Sequence, residues 1–376
     1  MVSNSHALLS ASSSHRWLNC PPSARLGENY EDTSSAFAAE GTDAHSLCEY
    51  MLKSALGIQC ENPVDNLTYY NEEMDECASG YASYVMELLS QAKEKTADPI
   101  VLIEQKLDYS KYVPDGFGTG DCVIIADGTL SIVDYKHGKG VEVSAVNNPQ
   151  MKLYALGALE IFDSIYDIDT VTMTIYQPRI GNVSEYTVSK DELLNWAETT
   201  LKPAAELAFN GGGEFACGEW CRFCKAKSEC RKRAEENMKL AAYDFRDPPL
   251  LSDAEIEEIL GRLDAFLSWA NDVKDFAYKS ALDGKVWNGW KLVEGRSNRK
   301  YTNERAVAAA VMAAGYDPYE KKLLGVTEMQ KALGRKQFNE ILGDLIIKPK
   351  GKPALVPESD KRPAINTATD DFKEEY

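Results

Sequence analysis

Cations are scarce in this chain: 41 Lys and Arg stand against 59 Asp and Glu, leaving a net charge of −18 over 376 residues. Phosphate repels such a surface, so nucleic-acid binding by the bulk charge is excluded, and any such binding needs a local positive region. No apolar run approaches ~18 residues, which excludes a membrane-spanning helix. Met1-Val2-Ser3-Asn4 does not open a secretory leader. A Gly-x-x-x-x-Gly-Lys-Ser/Thr phosphate loop is absent, so ATP-driven translocation would need another subunit. No internal repeat is evident. These absences predict a cytosolic protein, and a hydrophobic content of 44% suffices for one large core or two domains.

What is present begins with a hairpin. Gly120-Asp121-Cys122-Val123-Ile124-Ile125-Ala126 runs into Asp127-Gly128 and returns as Thr129-Leu130-Ser131-Ile132-Val133-Asp134-Tyr135-Lys136. Asp-Gly between apolar runs predicts a two-residue type I′ turn, with positive φ at both central residues. Ala126 then pairs with Thr129, and counting back pairs Asp121 with Asp134, their Cβ atoms roughly 4.5–5.5 Å apart. Lys136 shares that face because strand side chains alternate with period two. Opposed carboxylates repel unless a cation lies between them. Hard oxygen ligands suit Mg²⁺ or Mn²⁺, and a nearby ammonium can steady the charge of a reacting phosphate, a set of groups fitted to phosphodiester hydrolysis. Glu104, in the strand-like Val101–Leu107 run, is a further acidic candidate.

Satellite residues follow by spacing. Thr42 can cap a helix containing Ala44, Leu47, Cys48 and Met51, which places His45 in its first turn. Gln150 and Tyr154 are four apart on the helix after the hairpin, hence on one face. Four of the nine cysteines form Cys217-x3-Cys221-x2-Cys224-x5-Cys230, while Cys20, Cys48, Cys60, Cys77 and Cys122 are scattered. In a reducing compartment a cluster of this kind means metal rather than disulfides, with zinc the default for four cysteines.

Gly118-Thr119-Gly120-Asp121, then Asp134-Tyr135-Lys136 and Gln150-Met151-Lys152-Leu153-Tyr154, resembles the RecB-type branch of the PD-(D/E)XK nucleases, and Gly41-Thr42-Asp43-Ala44-His45 is similar to that family's first motif. The resemblance covers about residues 8–235 and implies a restriction-endonuclease-like core. It implies Mg²⁺ or Mn²⁺ on His45, Asp121 and Asp134, with Lys136, Gln150 and Tyr154 completing the catalytic set. Cys221-x2-Cys224-x5-Cys230 resembles the C-terminal triplet of iron-sulfur nucleases such as the AddB subunit and the CRISPR-associated RecB-like exonucleases. In those relatives the fourth thiolate lies near the N-terminus, and the Leu9–Ser12 and Trp17–Ser23 segments resemble their opening. That implies a [4Fe-4S] cluster on Cys20, Cys221, Cys224 and Cys230. A zinc knuckle completed by Cys217 is the alternative.

Residues 285–352 reverse the overall charge, with fourteen Lys or Arg against seven Asp or Glu. Trp287, Trp290 and Tyr301 are interleaved with Lys291, Arg296, Arg299 and Lys300, and Arg335-Lys336 follow, a pattern suited to phosphate contact and base stacking. Gly334–Phe338 and Lys348–Pro353 resemble a phage and prophage family that joins this nuclease core to a C-terminal extension. Such a family implies a DNA exonuclease of recombination or replication in a bacterial host, with DNA and a single-strand annealing protein as partners. The alternative is a catalytically weak DNA-binding scaffold.

The expected organisation is an α/β (α+β mixed) fold, helix-strand-strand-strand-helix-strand, giving a mixed central sheet flanked by helices. Residues 1–245 form the core with its cysteine cluster, 246–284 a long connecting helix, 285–346 a small basic helical domain and 347–376 an extended or disordered tail.

Overall fold

The computed structural model describes residues 7–30, 36–240, 251–295, 300–320, 322–347, 355–358, 360 and 362, with the backbone alone for Lys331 and Arg335. Most of the expected tail, and Arg296 and Arg299, lie outside the described residues. The chain divides into a unit of Met1–Lys279 and a second of Ser280–Tyr376. Among the described residues no helix is long and apolar enough to cross a membrane.

The first unit opens with the short helices α1 (Ser14–Asn19) and α2 (Ser23–Leu26), then α3 (Ala36–Ala55) and α4 (Glu72–Lys95). Asn71 caps α4 by accepting from the Met74 amide. Next come β1 (Ile100–Asp108), β2 (Phe117–Ala126), β3 (Thr129–Tyr135), α5 (Pro149–Tyr166), β4 (Thr170–Gln177) and β5 (Asn182–Ser189). The unit closes with α6 (Lys190–Trp196), α7 (Lys202–Phe209), α8 (Arg231–Met238) and α9 (Asp253–Leu282). The last of these straddles the division between units, and its Ser252–Glu255 capping box forms as the sequence suggests.

The five strands lie in chain order in one mixed sheet. Only β3 and β4 run parallel, because α5 carries the chain across between them. Alternation along the strands divides the core. Val123, Ile125, Leu130 and Ile132 face α5 and the α6–α7 segment, whereas Cys122, Ile124, Val133 and Tyr135 face α3 and α4. The fold is therefore mixed α/β, a sheet between two helical layers. Strand β5 is an addition to the expected order. Its alternating Asn182–Ser189 segment has little apolar content, and antiparallel pairing with β4 rather than its own pattern makes it a strand.

The hairpin register is as counted, Ala126 opposite Thr129 through Cys122 opposite Val133. Its turn is not type I′, since Gly128 has φ +72° but Asp127 is not among the positive-φ residues. Tertiary hydrogen bonds set this turn: Asp127 N donates to Thr96 Oγ1 at 2.8 Å and Gly128 N to the Tyr166 carbonyl at 3.3 Å. Thr42 is not a cap either. Helix α3 begins at Ala36, Thr42 returns its hydroxyl to the Ala38 carbonyl, and His45 sits in the middle of the helix. The run Ala36-Phe37-Ala38-Ala39 sustains helix upstream of the glycine.

The second unit contains α10 (Glu304–Ala313), α11 (Val326–Leu333) and α12 (Arg335–Leu342). Ala308 and Phe338 are its buried apolar residues among those described.

Candidate metal and cysteine sites

One end of the β2–β3 ladder is opened by a side chain. Ladder pairing stops at Cys122–Val133, and beyond it Asp121 Oδ2 accepts the Tyr135 amide at 2.6 Å. That bond takes the place of a backbone partner and fixes the carboxylate between the strands. Its other oxygen lies 3.3 Å from His45 Nδ1 on α3. On the neighbouring strand the pairs Ile103–Cys122 and Gln105–Gly120 bracket Glu104, which therefore stands opposite Asp121. Glu104 has φ +50°, a conformation that costs a non-glycine residue of order 1–3 kcal/mol and is held only where the surroundings demand it. Donor atoms of His45, Glu104 and Asp121 all fall within 4.8 Å of one another.

Asp134 emerges beside this trio. Its Oδ2 lies 2.8 Å from the Lys136 ammonium, and Oδ1 accepts from Gln150 Nε2 at 3.2 Å. Gln150 also accepts from Lys136 at 3.3 Å and donates to the Tyr154 hydroxyl at 3.1 Å. Asn148 starts α5 by accepting the Gln150 and Met151 amides, which aims Gln150 at the end of the sheet. Gly118 is required where β2 passes under that ring, because a Cβ there would lie 2.8 Å from Tyr154 Cε1. All six residues expected from the sequence are thus at one place. The compact donor trio, however, contains Glu104, with Asp134 turned toward Lys136 and Gln150. Asp134 Oδ2 is buried, and although Lys136 is near, no hydrogen bond of good geometry reaches it among the described residues.

The charges are mutually adjusted. Burial would raise Asp121, but His45, Lys136 and the Tyr135 amide outweigh it and hold this carboxyl below its usual range. Burial pushes Asp134 up, Asp121 adds to the effect and Lys136 opposes it. Glu104 is raised to about 7, first by burial and then by Asp121. Burial works against the charge on both His45 and Lys136, yet the facing carboxylates prevail and raise each of them. A nitrogen and several hard oxygens around an electronegative focus fit a divalent cation of the Mg²⁺ or Mn²⁺ type.

Behind the site lies a network that sequence spacing did not reveal. Buried His137 bonds the Tyr135 hydroxyl through Nδ1 at 2.8 Å, and its Nε2 is 3.4 Å from Glu40 on α3. Arg179 joins Glu40 and Glu73 at 2.9 and 2.8 Å. The Tyr135 ring meets His45 edge-on at 5.6 Å, so this network steadies the histidine from the α3–α4 side. Only the adjacency of His137 to Lys136 in the chain hinted at it.

The cysteines form a separate site. Cys20, Cys221, Cys224 and Cys230 all line one small cavity, whose polar wall also includes Arg16, Ser23, Lys227 and Arg233. Cys20 is the C-cap of α1 and Cys230 the N-cap of α8, so two helix ends and the Gly218–Cys224 turn bring the four together. Cys217 lies in a neighbouring cleft with Arg222 and Glu236; Cys221 lines both spaces. Burial raises the Cys217 and Cys224 thiols and pushes Cys221 up to about 11. Unpaired thiolates would be costly here, so the ionised form needs a cation or cluster to bind it. Ser23 Oγ and Arg16 Nε are buried without a hydrogen-bond partner among the described residues. Thiols joined by two nearby guanidinium groups and orphaned donors suit an anionic thiolate-ligated group.

A family model described as "Protein of unknown function (DUF2800)" matches residues 6–363. The chain belongs to the DUF2800 family. Among solved structures it is similar to one titled "Crystal structure of SSO0001", at 14% identity, covering 51% of this chain and 98% of that one with a TM-score of 0.24. A likeness of that size has no bearing on the fold.

In this DUF2800 chain the basic segment lies in the second unit. Lys291, Lys300 and Lys336 are exposed, as are Trp290 and Tyr301 at 82% and 74%. Lys285 stands over the Trp287 ring at 4.1 Å. Arg296, Arg299 and the Arg335 side chain lie outside the described residues.

Proposed function

We propose that this protein is a metal-dependent DNA nuclease of the RecB-type PD-(D/E)XK class, with a restriction-endonuclease-like core and an iron-sulfur cluster. The observation that carries the reading is the juxtaposition of the His45–Glu104–Asp121 donors with the Asp134–Lys136–Gln150–Tyr154 chain. A Mg²⁺ or Mn²⁺ ion held by His45, Glu104 and Asp121, with Asp134 beside them, would acidify a water and offset charge on the scissile phosphate.

The protein's own groups do the rest. Lys136 stays protonated, since Asp134 and Asp121 raise it, so it acts as a fixed cation toward phosphate oxygen and not as a base. Asp134 and Gln150 hold its ammonium from two sides. Gln150, tied to Tyr154, fixes Asp134 in turn, which saves reorganisation when substrate arrives. The imidazole in the donor set favours Mn²⁺ over Mg²⁺ in affinity.

The shared cavity supports Cys20, Cys221, Cys224 and Cys230 as cluster ligands in preference to a zinc knuckle with Cys217. The cluster would tie the N-terminal segment to the end of the core. The basic second unit supplies the cations that the acidic remainder lacks, through Lys291, Arg296, Arg299, Lys300, Arg335 and Lys336. Its likeness to phage extensions supports an exonuclease of recombination or replication in a host cytoplasm, delivering single strands to an annealing partner. The second reading is a weakly catalytic DNA-binding scaffold that docks recombination partners. Incubating end-labelled linear and closed circular DNA with Mg²⁺, Mn²⁺ or EDTA separates the two. The nuclease reading requires metal-dependent loss of label from linear DNA with circles spared. A scaffold binds both and cuts neither.

A further inference from the structure

Ser23 and Arg16, which line the cysteine cavity, each carry a buried donor that nothing among the described residues satisfies. Ser23 is 3% exposed, and its Oγ has no hydrogen-bond partner among the described residues. Its backbone is fixed, since Ser23 N donates to the Cys20 carbonyl at 3.0 Å as α2 begins. Arg16 lies one helical turn before Cys20, whose amide donates to the Arg16 carbonyl at 2.8 Å. Arg16 Nη1 is committed to the Phe223 carbonyl at 3.2 Å, while Nε is buried and unpaired. Among the described residues Arg16 also has no carboxylate partner. The other two cations on the wall differ in this respect: Lys227 and Arg233 pair with Asp272 at 2.8 and 2.6 Å.

A buried hydroxyl or guanidinium N–H left without an acceptor bears its desolvation cost uncompensated, the more so when charged. Two such groups beside four cysteines mark the place of an absent acceptor. Sulfur is an acceptor, and hydrogen bonds to cluster sulfur stabilise its more negative, reduced state and raise the reduction potential. We propose that Ser23 Oγ and Arg16 Nε donate to the sulfurs of a [4Fe-4S] cluster on Cys20, Cys221, Cys224 and Cys230, and so set its reduction potential. This rests on the iron-sulfur reading above and adds two positioning residues to it.

The test uses full-length protein purified without oxygen, with iron and sulfide content measured first. Pulsed electron–nuclear resonance on the reduced wild type should show exchangeable protons coupled to the cluster, lost in part on transfer to D₂O. Redox titration of Ser23→Ala and Arg16→Gln should give more negative midpoint potentials at unchanged iron content, while Ser23→Thr, which keeps the hydroxyl, should stay at the wild-type value. If either variant loads poorly, the wild-type proton couplings still decide. A loaded cluster with no exchangeable coupling, or with wild-type potential in both variants, overturns the donor roles and leaves the cluster assignment standing. Protein that binds zinc or no metal at these cysteines overturns both.

Discussion

Replacing Glu104 with Gln should stabilise the metal-free protein, and by an amount that depends on pH. The Glu104 carboxyl is raised from the ordinary 4.5 to about 7 by burial and by Asp121 opposite it. A group raised in the folded state costs nothing below its unfolded value and its full penalty above its folded value, so stability is lost as pH climbs through 4.5 to about 7. The interval corresponds to about 3 kcal/mol, of which about 2 develops between roughly pH 5.5 and 8. Glu104 keeps some solvent contact, which makes these upper figures. Gln keeps the size and removes the charge. Urea unfolding in EDTA, followed by tryptophan fluorescence, to which fully buried Trp17 contributes, should show Glu104→Gln more stable than wild type, with the margin widening toward high pH. Saturating Mn²⁺ should reverse the order, since a ligand at ~100 times Kd adds about 2.7 kcal/mol to a protein that binds it. A margin independent of pH, or a variant less stable at pH ~8, would refute the reasoning.

The two aspartates should respond with opposite signs. Asp121→Asn should destabilise by about 1–3 kcal/mol, because its partners hold it ionised, whereas Asp134→Asn should leave stability equal or higher, as denaturant midpoints will tell. Lys136→Ala should lower cleavage by roughly 10²–10³-fold while calorimetry finds metal binding largely kept. Anaerobic protein should be brown, and Cys20→Ala should lose iron and stability more than Cys217→Ala; a colourless protein with one zinc that depends on Cys217 and ignores Cys20 would reverse the assignment. Removing residues 285–376 should weaken DNA binding and reduce the salt slope by about 0.9 for each phosphate no longer neutralised, as fluorescence titration over a salt series can measure.

The hairpin was legible because its register depends on local counting: two turn residues fix every pair back to Cys122–Val133. Turn type was not, since Thr96 and Tyr166, distant in the chain, supply its hydrogen bonds. His45, Gln150 and Tyr154 were readable from motif order, but Thr42 gave a false helix start because Ala-rich sequence extends α3 upstream. Glu104 stood out only as one acid in an apolar strand. Its positive φ and its place opposite Asp121 arise from pairing, which spacing within β1 does not encode. The meeting of Cys20 with three cysteines some two hundred residues later was suggested by resemblance alone. Ser23 and Arg16 carried no signal, because an unsatisfied donor is a property of packing.

The central claim is that His45, Asp121 and Asp134 serve a metal-dependent nuclease. Release of labelled nucleotides from linear duplex DNA in Mn²⁺ tests it most directly, with wild type, Asp134→Asn and His45→Ala purified side by side. Wild type should release label rapidly and lose all release in EDTA, while neither variant should exceed background although both still bind DNA. Equal release by wild type and Asp134→Asn would contradict the claim, as would DNA binding by wild type with no cleavage in either metal.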